Sequence, residues 1–185
     1  TLTGGSGANA ITGATTVSNT ITGGDGIDTI VLASGTNTIT DLGATGDVDI
    51  VDLNGGTVIA TTTGAWTASS ATDNGGANAA AFTINVASAG AVDLTSAGTS
   101  VGGYTVLSTG TSAVTGSDDA DALTNTSGNA TMVGLAGIDT FTATAGALTI
   151  SDLGVGGLVD IVDLNGGTVI ATTTGAWTAS SATDN

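Results

Sequence analysis

The residues in this chain that are best suited to chemistry are aspartates placed in glycine-rich turns. The clearest example is GGDGIDTIV, residues 23–31, where Asp25 and Asp28 are interleaved with glycines. Glycine accepts positive φ angles, so backbone carbonyls can turn toward a common point, and the short Asp side chain adds a carboxylate there. Ca²⁺ takes roughly six to eight such oxygen ligands. The pattern therefore predicts calcium binding.

The composition leaves these carboxylates without any cationic side chain. The 185 residues include 16 acidic groups, all of them Asp, and no Lys, Arg or His. Nucleic acids and anionic membrane surfaces are bound through Lys and Arg, so both are disfavoured as partners. No apolar stretch approaches the roughly eighteen residues that a membrane span requires. Metal cations, or a basic partner, are the counter-charges that remain.

Catalysis is disfavoured by the same composition. Without His, Cys, Lys or Arg the chain cannot build a Ser–His dyad, a Schiff-base lysine or a cationic oxyanion clamp. Paired aspartates could in principle hydrolyse a glycoside. Enzymes that act on acidic sugars, however, hold them with cationic groups. We expect a protein that is not an enzyme.

The chain repeats itself with a period of 111 residues. Residues 48–74 recur letter for letter at 159–185, and GIDTI at 26–30 aligns with GIDTF at 137–141. Repetition of this kind predicts four segments: a turn-rich block at 1–53, a Thr/Val-rich block at 54–113, a second turn-rich block at 114–164 and the start of a second Thr/Val-rich block at 165–185. We expect the chain to be an excerpt of a longer tandem array.

A finer period of nine or ten residues runs inside each turn-rich block. Asn9, Asn19, Asp28 and Asn37 are each followed two positions later by an isoleucine. This step fits a turn plus a short strand with one inward apolar side chain, and two steps make one coil of a parallel solenoid. The inward residues predicted in this way are Ile11, Ile21, Ile30 and Ile39, with Leu123, Met132, Phe141 and Ile150 in the second copy.

Residues 54–113 follow a different pattern, with Thr/Val-rich runs and tight-turn signals at Asn54-Gly55 and Asn74-Gly75. This part either continues the solenoid or forms a small antiparallel β module. Continuation is the favoured prediction.

The nonapeptide at 23–31 resembles the G-G-x-G-x-D-x-U-x repeat of the RTX family, in which U is a large aliphatic residue. The segments 4–12, 116–124 and 134–142 resemble degenerate copies. The resemblance covers roughly 1–53 and 114–164. It implies an all-β, right-handed parallel β-roll or β-solenoid, with or without interspersed antiparallel segments, that binds Ca²⁺ in a secreted or cell-surface bacterial protein.

Spacing indicates which turns would share an ion. In a two-step coil, turns on the same edge lie about eighteen residues apart, as do those that begin at 116 and 134. We expect one calcium-bearing edge and one mostly ion-free edge. The strongest site is predicted between Asp121 and Asp139, and a weaker one between Asn9 and Asp28.

The full set of candidate calcium ligands combines acidic or amide side chains with turn glycines. It comprises Asp25, Asp28, Asp118, Asp119, Asp121, Asp139 and Asn9, the glycines Gly23, Gly26, Gly116, Gly134 and Gly137, and Asp49, Asp52, Asp160 and Asp163. Together with Asp41, Asp47 and Asp152, the last four could form a second site at the end of each block. The alternation of Asp with Val or Ile at 47–53 suits an exposed strand with outward acids equally well.

Trp66 and Trp177 occupy equivalent positions in the two copies. A platform for stacking sugars is conceivable, but packing in the core or between units is the favoured interpretation.

These patterns favour a structural role outside the cell. One hypothesis is a self-assembling filament or surface layer of identical repeats, with cell-surface polysaccharide as a possible further partner. The alternative is a calcium-rigidified spacer of a large adhesin whose ligand-binding domain lies elsewhere. A third, weaker hypothesis is a calcium-free antiparallel β-sandwich array.

Overall fold

A computed structural model describes residues 1–14, 17–62, 64–74, 81–98 and 102–179. Short strands and turns alternate along them, as the nine-residue step requires. The strands are β1 (Leu2–Thr3), β2 (Ala10–Thr12), β3 (Thr20–Thr22), β4 (Thr29–Leu32), β5 (Thr36–Leu42), β6 (Ile50–Leu53), β7 (Thr57–Thr62), β8 (Ala65–Thr67), β9 (Ala81–Val86), β10 (Ala91–Asp93), β11 (Thr105–Thr109), β12 (Ser112–Thr115), β13 (Ala122–Ser127), β14 (Asn129–Val133), β15 (Thr140–Ala143), β16 (Ala147–Leu153), β17 (Ile161–Leu164) and β18 (Thr168–Thr173). Single 3₁₀ turns lie at Ala44–Gly46 and Val155–Gly157.

These strands stack into a parallel β-solenoid of about eight turns, which confirms the predicted all-β solenoid class. The odd-numbered strands from β1 to β17 form one nine-stranded sheet in sequence order. A three-stranded sheet of β2, β4 and β6 and a six-stranded sheet running from β8 to β18 complete the coils. Each coil therefore pairs with the coil before it and the coil after it.

The core is a single column of inward apolar side chains. All eight residues predicted to point inward are buried, from Ile11 at 9 % exposure to Phe141 at 0 %. The strands show the expected alternation, as in β7, where Val58 and Ala60 are buried between more exposed neighbours. Trp66 is 1 % exposed and packs against Phe82, their ring centroids 6.4 Å apart. The core interpretation of Trp66 is confirmed.

The Thr/Val-rich block continues the solenoid. Strand β7 pairs in parallel with β9, β9 with β11, and β11 with β13. Every strand pair among the described residues is parallel. The hypothesis of an antiparallel β-sandwich array is therefore wrong for this part of the chain, because the short turns inside each coil lead to the opposite sheet and not back along the same one.

Equivalent strands of the two copies lie in different sheets. Residues 29–32 form β4 in the three-stranded sheet, whereas their counterparts 140–143 form β15 in the nine-stranded sheet. The counterparts are eleven strands apart, and this odd number exchanges the two sides of a coil. The turn 23–28 follows β3 of the nine-stranded sheet, whereas the turn 134–139 precedes β15 of that sheet.

Because all strands of the nine-stranded sheet are parallel, these two turns lie at opposite long edges of the sheet. The acidic turns of one copy share an edge, as the sequence predicts. The expectation of a single acidic edge is wrong for the chain as a whole, since the edge changes between copies.

Among the described residues, no helix is long and apolar enough to span a membrane.

Candidate metal site

The acidic turns stack directly on one another from coil to coil. In the first copy, Ser6 and Asp25 form a parallel bridge, and the amide of Gly7 donates to the carbonyl of Asp25 at 2.7 Å. In the second copy, the turns at 116–121 and 134–139 join β12 to β13 and β14 to β15. Parallel pairing of those strands aligns the turns in the same way.

The structure brings together both predicted pairs of side chains. The amide of Asp121 donates to Oδ1 of Asp139 at 2.9 Å. Oδ1 of Asp28 accepts from the backbone N–H and from Nδ2 of Asn9, at 2.9 and 3.0 Å. Asp28 and Asp139 are fully buried and Asp121 is 2 % exposed. The predicted neighbours are thus stacked from turn to turn, as two carboxylates in the second copy and as an amide on a carboxylate in the first.

The first glycine of each turn makes this burial possible. A Cβ on Gly23 would lie 2.2 Å from Oδ2 of Asp28, one on Gly134 would lie 2.2 Å from Oδ2 of Asp139, and one on Gly116 would lie 2.5 Å from Oδ2 of Asp121. Each carboxylate therefore folds back onto the start of its own turn. The later glycines Gly26 and Gly137 have φ angles of 101° and 116°, which side chains rarely adopt.

The carboxylates accept hydrogen bonds from the backbone of the preceding coil. Oδ1 of Asp49 accepts from the amide of Asp28 at 3.0 Å, and Oδ1 of Asp160 accepts from the amide of Asp139 at 3.1 Å. Oδ2 of Asp49 accepts from Gly43 N at 3.0 Å. Backbone N–H groups thus supply the partial positive charge that the side chains of this sequence lack.

Buried Asp49 and Asp160 correct one expectation. They are 3 % and 4 % exposed, so the interpretation of 47–53 as an exposed strand with outward acids fails at Asp49. The reason is that β6 begins at Ile50, which leaves Asp49 in the preceding turn. The carbonyl of Asp49 also accepts from Nε1 of Trp66 at 3.0 Å, and the carbonyl of Asp160 accepts from Nε1 of Trp177 at 2.9 Å.

A second carboxylate from the neighbouring coil binds the start of the turns at 23–28 and 134–139. Asp41 accepts from the amides of Gly23 and Gly24 at 3.0 and 2.8 Å. Asp152 accepts from the amides of Gly134 and Leu135 at 3.1 and 2.8 Å. In the turn at 116–121 the corresponding amide, that of Ser117, donates instead to Asp121 itself.

Because the amides at the start of these two turns donate to Asp41 and Asp152, one buried carboxylate oxygen of the turn itself is left without a partner. It lies at the same place in each copy. Oδ2 of Asp28 and Oδ2 of Asp139 are buried and have no hydrogen-bond partner. Burial raises the pKa of Asp139 to about 7, helped by repulsion from the carboxylates of Asp121 and Asp160. Burial likewise raises the pKa of Asp121 to about 6. Asp121 and Asp139 therefore favour a bound cation or a proton over a bare charge.

The remaining candidates lie closer to solvent. Asp25 and Asp118 are exposed, and Asp119 is half-buried. Asp52 and Asp163 are half-buried at outward positions of β6 and β17, where Asp52 accepts from Nδ2 of Asn54. Thr45 and the amide of Gly26 both donate to Asp47, which lowers the pKa of that carboxyl. The structure therefore separates the proposed second site into buried and outward carboxylates.

The residues fit a calcium ion only in part. The described residues contain no group of three or more acidic side chains placed to hold a metal. Most buried carboxylate oxygens already accept backbone N–H groups. The unpartnered oxygens of Asp28 and Asp139 each supply one hard oxygen ligand, so an ion at either place would take its other ligands from glycine-turn carbonyls or water.

In the first copy, the edge of the nine-stranded sheet opposite the acidic turns carries amide side chains instead of acidic ones. Nδ2 of Asn19 donates to Oδ1 of Asn37 at 2.7 Å, and both side chains are buried. An amide both donates and accepts, so this stack needs no counter-charge.

The role of the carboxylates as acceptors for the preceding coil was not predicted from the sequence. One signal for it was present: a chain with no cationic side chain has backbone N–H groups as its most abundant donors. The roughly one-coil spacing from Asp28 to Asp49 and from Asp139 to Asp160 points the same way.

No family model, curated protein or solved structure matches this chain.

Proposed function

We propose that this chain is a structural, calcium-stabilised tandem-repeat segment of a secreted bacterial surface or matrix protein, where it forms or extends a fibre or lattice. The continuous parallel solenoid supports this proposal, because one column of core side chains passes through both copies without a break. Solenoids of this kind transmit stability from each repeat to the next and make rods.

The observation that carries the calcium part of the proposal is the buried, unpartnered carboxylate oxygen of Asp28 and of Asp139. The two positions are equivalent in the two copies, so the feature belongs to the repeat itself. No Lys, Arg or His exists to neutralise them. A divalent cation bound there would offset the desolvation of the carboxylates and would stabilise the folded state alone.

Thermal melting with and without calcium tests this role. At a calcium concentration about 100-fold above the dissociation constant, one site adds about 2.7 kcal/mol to the free energy of unfolding. We expect calcium to raise the melting temperature of the chelated protein. The double variant Asp28→Asn, Asp139→Asn should lose most of that increase.

The matched control is Asp52→Asn with Asp93→Asn, which removes two outward carboxylates and leaves the buried ones intact. It should keep the response to calcium. An identical melting curve in chelator and in calcium, together with no calcium in elemental analysis of the purified protein, would refute the calcium role.

Electron microscopy separates the fibre from the adhesin spacer. Regular polymers of the isolated protein would support the fibre or lattice. Rods that stay monomeric at all concentrations would instead favour the spacer, in which ligand binding lies outside this chain.

A further inference from the structure

The outward face of the nine-stranded sheet carries no charge along most of its length. Most of its outward side chains are threonines. The three central strands contribute Thr57, Ile59 and Thr61 on β7, Ala81, Thr83 and Asn85 on β9, and Thr105, Leu107 and Thr109 on β11. The flanking strands contribute Thr20, Thr22, Thr36, Thr38 and Thr40 before β7, and Ala122, Thr124, Thr126, Thr140 and Thr142 after β11. Asp41, near the end of β5, lies at the margin of this face, where it accepts from the amides of Gly23 and Gly24. The next acidic residue at an outward position of this sheet is Asp163 on β17. We call the outward side of β1 to β15 in this sheet the neutral face.

Charge is distributed differently on the other side of the solenoid. Asp52 on β6 and Asp93 on β10 occupy outward strand positions, and Asp73 of the next coil forms a parallel bridge with Asp52. The other carboxylates of the described residues lie in turns, apart from those of Asp41, Asp152 and Asp163, which lie on β5, β16 and β17. The neutral face is therefore a long surface with a single carboxylate, that of Asp41, at its margin, in a chain with a formal charge of −16.

This distribution restricts how two copies of the chain can touch. Strong net charge of one sign keeps proteins apart, and like charges placed opposite one another across an interface cost several kcal/mol. A contact through the turns or through the acidic side would bring carboxylates face to face. A contact through the neutral face keeps them at the margins, where salt and water screen them.

The neutral face also has an exposed apolar side chain and a shallow depression, and both suit packing against another surface. Ile59 is 37 % exposed at its centre. A shallow depression beside it is lined by Thr61, Leu107, Thr109 and Thr126. Two such faces related by a two-fold axis could each place an isoleucine toward the depression of the other, which is the self-complementary geometry of homodimers.

The area of the neutral face limits how tightly two copies of the chain can bind through it. Eight strands at about 4.8 Å spacing make it about 34 Å long, and about five residues per strand make it about 16 Å wide. That corresponds to about 500 Å² per partner and about 1,000 Å² in total, near the lower limit for a specific interface. One pair of faces would bind weakly, and many in register along a fibre would bind firmly.

From these observations we infer that the neutral face packs against the neutral face of a second copy of this chain and joins neighbouring solenoids side by side. The inference rests on the proposed structural role but not on bound calcium. It assigns lateral assembly to the sheet face and leaves the acidic turns free at both edges.

Sedimentation equilibrium of the whole chain in chelator tests this contact. The parent protein should show a mass that rises with concentration, and the association should strengthen as salt screens the charge of −16. Thr105→Glu places a charge in the middle of the neutral face and should weaken association at least about tenfold. The matched control Thr29→Glu, at an outward position of β4, should change it less than about twofold.

The outcomes separate this inference from the calcium role. Association that appears only with calcium, or that both variants weaken equally, would overturn the neutral-face contact while leaving calcium binding intact. A monomeric parent protein at every salt concentration would overturn it too, and retention of that monomer on a crystalline polysaccharide would assign the face to a glycan. Association in chelator that Thr105→Glu abolishes would support it even if calcium has no effect on melting. Circular dichroism of both variants verifies that they fold.

Discussion

Two stretches of this protein have identical sequences and different surroundings. Residues 48–62 and 159–173 match letter for letter. In the first stretch Leu53 and Val58 are fully buried, whereas their counterparts Leu164 and Val169 are only partly buried. The difference arises because β7 is covered by β9, while the described pairing of β18 is with β16 alone.

The side that faces the preceding coil is the same in both stretches. β5 pairs with β7 from Thr36 and Thr57 onward, and β16 pairs with β18 in the equivalent register. Both pairs even show a register shift at the same place, between Ile39 and Leu42 and between Ile150 and Leu153. The sequence of a coil thus sets its pairing register with the coil before it, whereas the burial of its side chains depends on the coil after it.

The largest expected effect comes from truncating the same leucine in each copy. Leu53→Ala should lower the free energy of unfolding by about 2–5 kcal/mol, because it opens a cavity in a closed core. Leu164→Ala should cost less than about 1 kcal/mol, since that side chain is already partly exposed. Urea denaturation of the two variants measures the difference, and equal losses would show that burial in the two copies is the same in solution.

A smaller loss of stability, equal in the two copies, is expected from removing side chains that contact the preceding coil. Asp49→Ala and Asp160→Ala each remove a buried carboxylate that accepts two backbone N–H groups. Leaving those donors unsatisfied should cost about 1–3 kcal/mol in each variant. Urea denaturation measures both losses. A large difference between the two variants would contradict the inference that contacts with the preceding coil are the same in both copies. Asp93→Ala, at an outward position, serves as the control.

The smallest effect is a pH dependence that differs between the copies. The pKa of Asp139 is raised to about 7 and that of Asp121 to about 6, from 3.8. The folded state therefore binds these protons more tightly than the unfolded state does. The resulting stability is present below about pH 4 and is lost as the pH rises through 6 to 7.

Melting of the chelated protein between about pH 4 and pH 8 measures this dependence. The position equivalent to Asp121 in the first copy is Asn9. Asp121→Asn makes the second copy resemble the first, and it should flatten the profile. A parent protein whose melting temperature rises over this interval would contradict the assignment of buried, proton-binding carboxylates.

Much of the fold follows from the sequence at particular residues. The step from Asn19 to Asp28, each with an isoleucine two positions later, predicts Ile21 and Ile30 as inward residues, and both are buried. The neighbours Asp121 and Asp139 were predicted from an eighteen-residue spacing and do stack. These predictions succeed because a fixed step in a solenoid converts sequence distance directly into spatial distance.

Other features could not be predicted in this way. The change of edge between the acidic turns of the two copies depends on the strand count of 54–113, a region without the nine-residue step. The hydrogen bonds from the backbone to Asp41 and Asp152 depend on the bulges in β5 and β16, which bring a strand residue level with a turn.

The amino-acid sequence by itself determined the repeat, the inward column of side chains, the absence of cationic side chains and the placement of the carboxylates that lie in glycine turns. These are local properties, set by residue type and spacing. Only the tertiary structure decided which carboxylate oxygens are satisfied and which face of the solenoid carries almost no charge. The physical reason is that both depend on how one coil lies on the next, and that register is set by packing across the whole stack.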